Sequence, residues 1–131
     1  RILAGVEETL SHFEEEGLQK CLATNKSTPE AERILTHLGI DGYFDLMVGY
    51  DDVPNPKPSP DMILLALDAM GVEPGQAVLA EDSPTGLAAG KAAGVSTVAV
   101  ATGFYSPETL AGYQPDYLLD ELKALKEIVF V

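Results

Sequence analysis

Three features of the 131-residue chain predict an α/β fold, a parallel sheet with helices on both faces. Short apolar runs alternate with amphipathic segments of helical spacing. Several helical segments open on a hydroxyl and a proline, as in Ser27-Thr28-Pro29, Ser59-Pro60 and Ser83-Pro84. That pairs a capping side chain with a residue suited to the first turn. Glycine stands where the helical pattern stops, at Gly17, Gly39, Gly71 and Gly94. Strands of about five residues alternating with helices of about ten favour parallel pairing through crossovers.

The elements follow in order. Val6, Leu10 and Phe13 mark a helix over 5–16 with an acidic outer face of Glu7, Glu8, Glu14 and Glu15. A strand over 18–25 and a helix from Ser27 to about Leu38 come next. A second strand spans 44–50 and leads into the proline-rich loop 51–58, DDVPNPKP. Ser59-Pro60-Asp61 opens a helix to about Met70. A third, buried strand over 76–82 is followed by a helix from Ser83 to about Gly94. A fourth strand over 96–102, a helical turn at Ser106-Pro107-Glu108, a short strand over 116–120 and a helix over 121–129 complete the pattern. No internal repeat or low-complexity linker divides it, so residues 1–131 read as one domain.

Composition narrows the function classes. Apolar residues make up 46% and charged residues 22%, ordinary for a globular protein. The net charge of −13 repels nucleic acid and anionic membranes. No apolar run approaches the roughly 20 residues of a membrane helix, and no signal-peptide pattern opens the chain. The single cysteine, Cys21, lies in an apolar stretch and reads as a core thiol, which fits a reducing cytoplasm. In so acidic a chain an anion site must be locally positive, and Lys26 and Lys57 are the candidates.

Ligands of such sheets sit at the carboxyl ends of the strands. The first strand ends in Thr24-Asn25-Lys26-Ser27, the second leads to Lys57, and the third ends in Glu81-Asp82. Each has an ordinary reading alone. Adjacent acids before Ser-Pro suit a helix N-terminus. Lys57 between prolines reads as a solvated loop lysine, and Thr24 as a strand-end residue. Asp51-Asp52 reads as a solvated turn, His12 and His37 as surface residues, and Met47, Met62 and Met70 as core filler. Together, a hydroxyl, a lysine and two carboxylates at one sheet edge suit a phosphate held beside Mg²⁺.

Three stretches carry a more specific signal. AGVEETLSHFEEEGLQKCLATNKS ends a strand in Thr-Asn; KPSPDMILLALDAMGVEP sets a lysine before a helix; AVLAEDSPTGLAAGKAAGVSTVAV sets two acids before an Ala/Gly-rich helix. In this order they resemble the second, third and fourth motifs of the haloacid dehalogenase (HAD) superfamily of phosphatases. The likeness is to helical-cap members such as phosphoglycolate phosphatase and β-phosphoglucomutase, over residues 4 to about 125.

The resemblance implies a Rossmann-like core and hydrolysis of a small phosphorylated metabolite through an aspartyl-phosphate. It implies that Thr24 and the Asn25 backbone bind the transferring phosphoryl group, that Lys57 neutralises it, and that Asp82, helped by Glu81, holds Mg²⁺. Small residues at Gly86, Ala88, Ala89, Gly90, Ala92 and Ala93 are expected to let their helix approach the sheet.

The family's first motif, Asp-x-Asp at the end of the first strand, has no match here, and neither has the helical cap. The chain is therefore expected to be the back half of a longer protein, inactive alone. Its gap is expected between the strands at 20–24 and 77–81, to be met by poor stability, self-association or rearranged pairing. Two alternatives share the pattern: a β-phosphoglucomutase-like phosphotransferase, and a non-catalytic flavodoxin-like interaction module. Regulatory receivers of that fold place their acids before the Thr and Lys, whereas here the Thr and Lys come first.

Overall fold

The computed structural model describes residues 5–102 and 104–121. Helix α1 is Val6–Glu15, strand β1 Cys21–Ala23, α2 Thr28–Leu38, β2 Leu46–Val48 and α3 Asp61–Met70. Strand β3 is Val78–Glu81, α4 Pro84–Ala93, β4 Ser96–Val100, α5 Pro107–Ala111 and β5 Tyr117–Leu119. The helix expected over 121–129 lies almost wholly outside the described residues.

Local chemistry sets the helix ends. Ser27, Ser83 and Ser106 cap α2, α4 and α5, each accepting from the backbone N–H three residues on, with proline in the first turn. Gly39, Gly71 and Gly94 end α2, α3 and α4 in left-handed conformation. At α3 the cap position falls to Pro60, and Ser59 Oγ accepts from the Asp61 N–H instead.

Strands come out shorter than expected because they extend only as far as a neighbour pairs with them. Among the described residues all pairing is parallel, and it forms two sheets. β1 pairs with β2 in the register Cys21–Leu46 to Ala23–Val48. β4 lies between β3 and β5, with Glu81 opposite Ala99 and Val98 opposite Tyr117. Helices cover both faces of β4. Ala99 packs with Leu87 of α4 and Leu110 of α5, while Val98 and Val100 pack with Phe13 of α1.

The break falls between β1 and β3. A cavity of about 400 Å³ lies there, lined by Cys21 and Ala23 of β1, Leu79 and Ala80 of β3, and Ile63 and Leu67 of α3. β3 is thus not the buried strand expected: Val78 and Ala80 are exposed. α3 joins the two sheets across the gap. Ile63 and Leu67 pack with both Ala23 and Leu79, and the fully buried Met62 packs with Val48. On α4, Gly86, Ala89, Gly90 and Ala93 are buried as expected, whereas Ala92 faces out. A Cβ at Gly90 would meet the Leu79 and Thr97 side chains at 2.7 and 2.8 Å, so that glycine sets how closely α4 lies on β3 and β4.

Candidate active site

Lys57 is the centre of the site. Its loop runs from the end of β2 to α3, and it is fastened to the end of β1 by an amide exchange. Asn25 Oδ1 accepts from the Lys57 N–H at 3.0 Å, and Asn25 Nδ2 donates to the Lys57 carbonyl at 3.1 Å. The Lys57–Pro58 peptide is cis. So anchored, the ammonium reaches into the break between the sheets. It donates to the Ala23 carbonyl of β1 at 3.2 Å and to Glu81 Oε2 of β3 at 3.0 Å. The two side chains are 9% and 12% exposed, which makes this a buried ion pair. An ammonium has three donors, and these contacts engage two of them.

The carboxylate pair divides its work. Glu81 turns inward, accepting from Lys57 and, at 3.3 Å, from the hydroxyl of Ser83. Asp82 stays exposed and accepts a long 3.4 Å hydrogen bond from Thr102 at the exit of β4. Two adjacent like charges are tolerated because one is neutralised by Lys57 and the other faces water.

Thr24 lies at the end of β1, half-buried, its N–H bonded to the Val48 carbonyl and its hydroxyl accepting from the Lys26 N–H at 3.1 Å. Lys26 does not join the site. It is exposed and pairs with Glu30 along α2 at 3.7 Å. Lys57 and Glu81 therefore join the carboxyl ends of β1 and β3, where Thr24, Asn25 and Asp82 also lie.

Asp51 and Asp52 are not a merely solvated turn. Asp51 Oδ1 accepts from the Thr28 N–H at 2.8 Å, and Asp52 Oδ2 accepts from the Thr28 hydroxyl at 2.8 Å and the Gly49 N–H at 2.9 Å. The pair ties the exit of β2 to the start of α2. Cys21 behaves as a core thiol: burial pushes its pKa up to about 11, the reverse of what a nucleophile needs.

The sequence did not reveal the side-chain roles of Asn25, Ser83 and Thr102. Asn25 is adjacent to Thr24, but nothing local announces a partner in the Lys57 loop. Among the described residues no cluster of three or more His, Cys, Asp and Glu forms. The acidic oxygens present, exposed Asp82 and tethered Glu81, supply part of the six-oxygen shell that Mg²⁺ takes.

The sequence profile of the haloacid dehalogenase-like hydrolases matches residues 1–100. The chain belongs to this family. A pyrophosphatase PpaX of Bacillus velezensis (strain DSM 23117 / BGSC 10A6 / LMG 26770 / FZB42) is 36% identical over 96% of the chain and 58% of its own length. A phosphoglycolate phosphatase of Escherichia coli (strain K12) is 38% identical over 92% of the chain and 48% of its own length. A candidate β-phosphoglucomutase of Thermotoga maritima superposes with a TM-score of 0.89 at 32% identity, covering 97% of the chain and 61% of that structure. This haloacid dehalogenase-like chain thus spans about half the length of the curated relatives it matches. No helix among the described residues is long and apolar enough to cross a membrane.

Proposed function

We propose that this chain forms the phosphate-holding half of a Mg²⁺-dependent phosphatase that acts on a small phosphorylated metabolite. The observation that carries the reading is the Lys57 ammonium, held between two strand ends with a donor to spare, beside Thr24 and Asp82. Phosphoryl transfer asks chiefly for positioning and for cationic stabilisation of three equatorial oxygens.

In this reading Lys57 neutralises the phosphoryl oxygens, and Glu81 fixes where the ammonium stands. The Thr24 hydroxyl and the Asn25 N–H orient the same group. Asp82, with Glu81, is the chain's share of the Mg²⁺ site; the metal, when bound, neutralises charge on the phosphoryl oxygens. The nucleophile is an aspartate outside these residues, on a strand seated in the cavity between β1 and β3. Its carboxylate oxygen bonds to phosphorus as the bond from phosphorus to the ester oxygen breaks, the leaving oxygen taking a proton from the second acid of the same Asp-x-Asp motif. Water then cleaves the acyl-phosphate, releasing inorganic phosphate and restoring the carboxylate.

The cavity supports that placement. It has the apolar lining of a strand covered on both faces, and a paired sheet borders it on each side. A mutase-type transfer to a second hydroxyl uses the same residues, and the structural likeness to a candidate β-phosphoglucomutase favours keeping it as the second reading.

The test is phosphate release from a panel of phosphate esters and pyrophosphate with Mg²⁺, by the 131-residue chain and by the reading frame extended upstream. The chain alone is expected to be inactive and the extended protein active. Lys57→Ala or Asp82→Ala is expected to lower kcat by about 10²–10³, the loss typical of one electrostatic stabiliser. Turnover by the chain alone, or none by the extended protein on any ester, overturns the reading. Phosphoryl transfer to a sugar hydroxyl in place of water selects the mutase.

A further inference from the structure

Glu81 is confined by something besides its hydrogen bonds. After β3 the chain turns within two residues into α4, and the Glu81 side chain folds back over the first turn of that helix. It fills the space where a side chain at position 86 would begin. A Cβ at Gly86 would overlap Cγ, Cδ and Oε2 of Glu81.

Glycine is not there for its backbone. Gly86 lies inside a helix and does not take a left-handed φ. Glycine weakens a helix interior relative to alanine, and α4 is otherwise rich in alanine. Its N–H is spent on the capping Ser83 Oγ at 3.2 Å, and the same hydroxyl donates to Glu81 Oε1 at 3.3 Å. The Glu81 carboxylate is therefore set from three sides: Ser83, Lys57 and the bare backbone of Gly86. Glu81 in turn is the side-chain partner that draws the Lys57 ammonium across to β3.

We propose that Gly86 is a positioning residue for Lys57, acting through the space it leaves for Glu81. A methyl group at position 86 displaces the carboxylate and releases the ammonium. The role in phosphoryl transfer rests on the function proposed above; the positioning itself does not.

Lysine chemistry tests it. The chain is treated with limiting acetic anhydride, and each lysine's rate is read by peptide mass spectrometry. In the unaltered chain Lys57 is expected to react at least about tenfold more slowly than exposed Lys26, because its amine is buried and paired. Gly86→Ala and Glu81→Ala should each raise the Lys57 rate by a similar factor of about ten, and the double variant should add nothing further, since both act through one contact. Lys20, buried elsewhere, reports loosening of the whole fold and should not change.

An unchanged Lys57 rate in Gly86→Ala, or additive effects in the double variant, overturns the proposal. If Gly86→Ala fails to fold or exposes Lys20 as well, the double variant decides. Folding as well as Glu81→Ala supports the proposal, because the overlap is gone; failing as Gly86→Ala does refutes it. The readout is amine acylation, so an extended protein without phosphatase activity would sink the functional reading and leave this result intact.

Discussion

Two lysines in this molecule are almost equally buried, and they do opposite things. Lys20 precedes β1, and its side chain is 8% exposed; Lys57 is 9% exposed. The Lys20 ammonium donates to the nearby Leu18 carbonyl at 3.1 Å and stands 3.9 Å from Asp45, whose carboxylate is 55% exposed. Asp45 spends its strong bond on the Lys20 backbone N–H at 2.8 Å, clamping the entry of β1 to β2. That ion pair works within one sheet and is half in water. The Lys57–Glu81 pair joins two sheets, is shielded at both partners, and closes at 3.0 Å. Burial alone therefore does not separate the two lysines. What sets Lys57 apart is a buried partner on the far side of a gap.

The sharpest way to break this contrast is to remove one partner from each pair. Glu81→Leu strands a buried ammonium, and a cost of about 3–5 kcal/mol is expected from urea unfolding of the chain. Adding Lys57→Met should recover most of it, because replacing a whole buried pair with apolar groups is often near neutral. If Glu81→Leu unfolds at the same urea concentration as the unaltered chain, the pair is not buried in solution and the contrast fails.

Lys20→Met should cost far less, about 1 kcal/mol or under, since its carboxylate partner is distant and solvated. Its methylenes, which carry much of the packing, are largely replaced by those of Met. A loss matching that of Glu81→Leu would show that Lys20 also holds an enclosed charge pair.

The same contrast explains what the sequence made legible. Lys57 and Glu81-Asp82 each had an ordinary local reading; they stood out through their order after Thr24-Asn25 at successive strand ends, which resembles the family's motifs. Helix ends were legible locally, since Ser27, Ser83, Ser106, Gly39 and Gly94 act within a few residues of themselves. Lys20 carries no such sign, because neither it nor Asp45 is among the residues that the resemblance singles out. The division of labour between Glu81 and Asp82 was hidden too. It depends on Lys57, Ser83 and Thr102 meeting in space. Strand lengths were overestimated because an apolar run marks burial, not a pairing partner. The break between the sheets was foreseen only through a motif the resemblance requires and the chain lacks.

Asp51 gives the smallest and most exposed member of the comparison, a carboxylate held by hydrogen bonds with no lysine involved. Its pKa lies below the ordinary 3.8, chiefly because the Thr28 N–H bonds the ionised form; desolvation opposes the shift, and the Thr28 hydroxyl adds to it. A depressed folded-state pKa gives stability that is fully present above the unfolded value and lost as pH falls through the folded one. Asp51→Asn keeps an oxygen to cap α2 but cannot titrate. The gap in urea midpoint between the two chains should hold steady well above the ordinary value of 3.8 and close as pH falls through and below it. A gap that stays constant over that range would show that Asp51 is not bonded to Thr28 in solution. The junction between β2 and α2 would then rest on Asp52, through its bonds to Gly49 and the Thr28 hydroxyl, and on the Tyr50 N–H bonded to the Lys26 carbonyl.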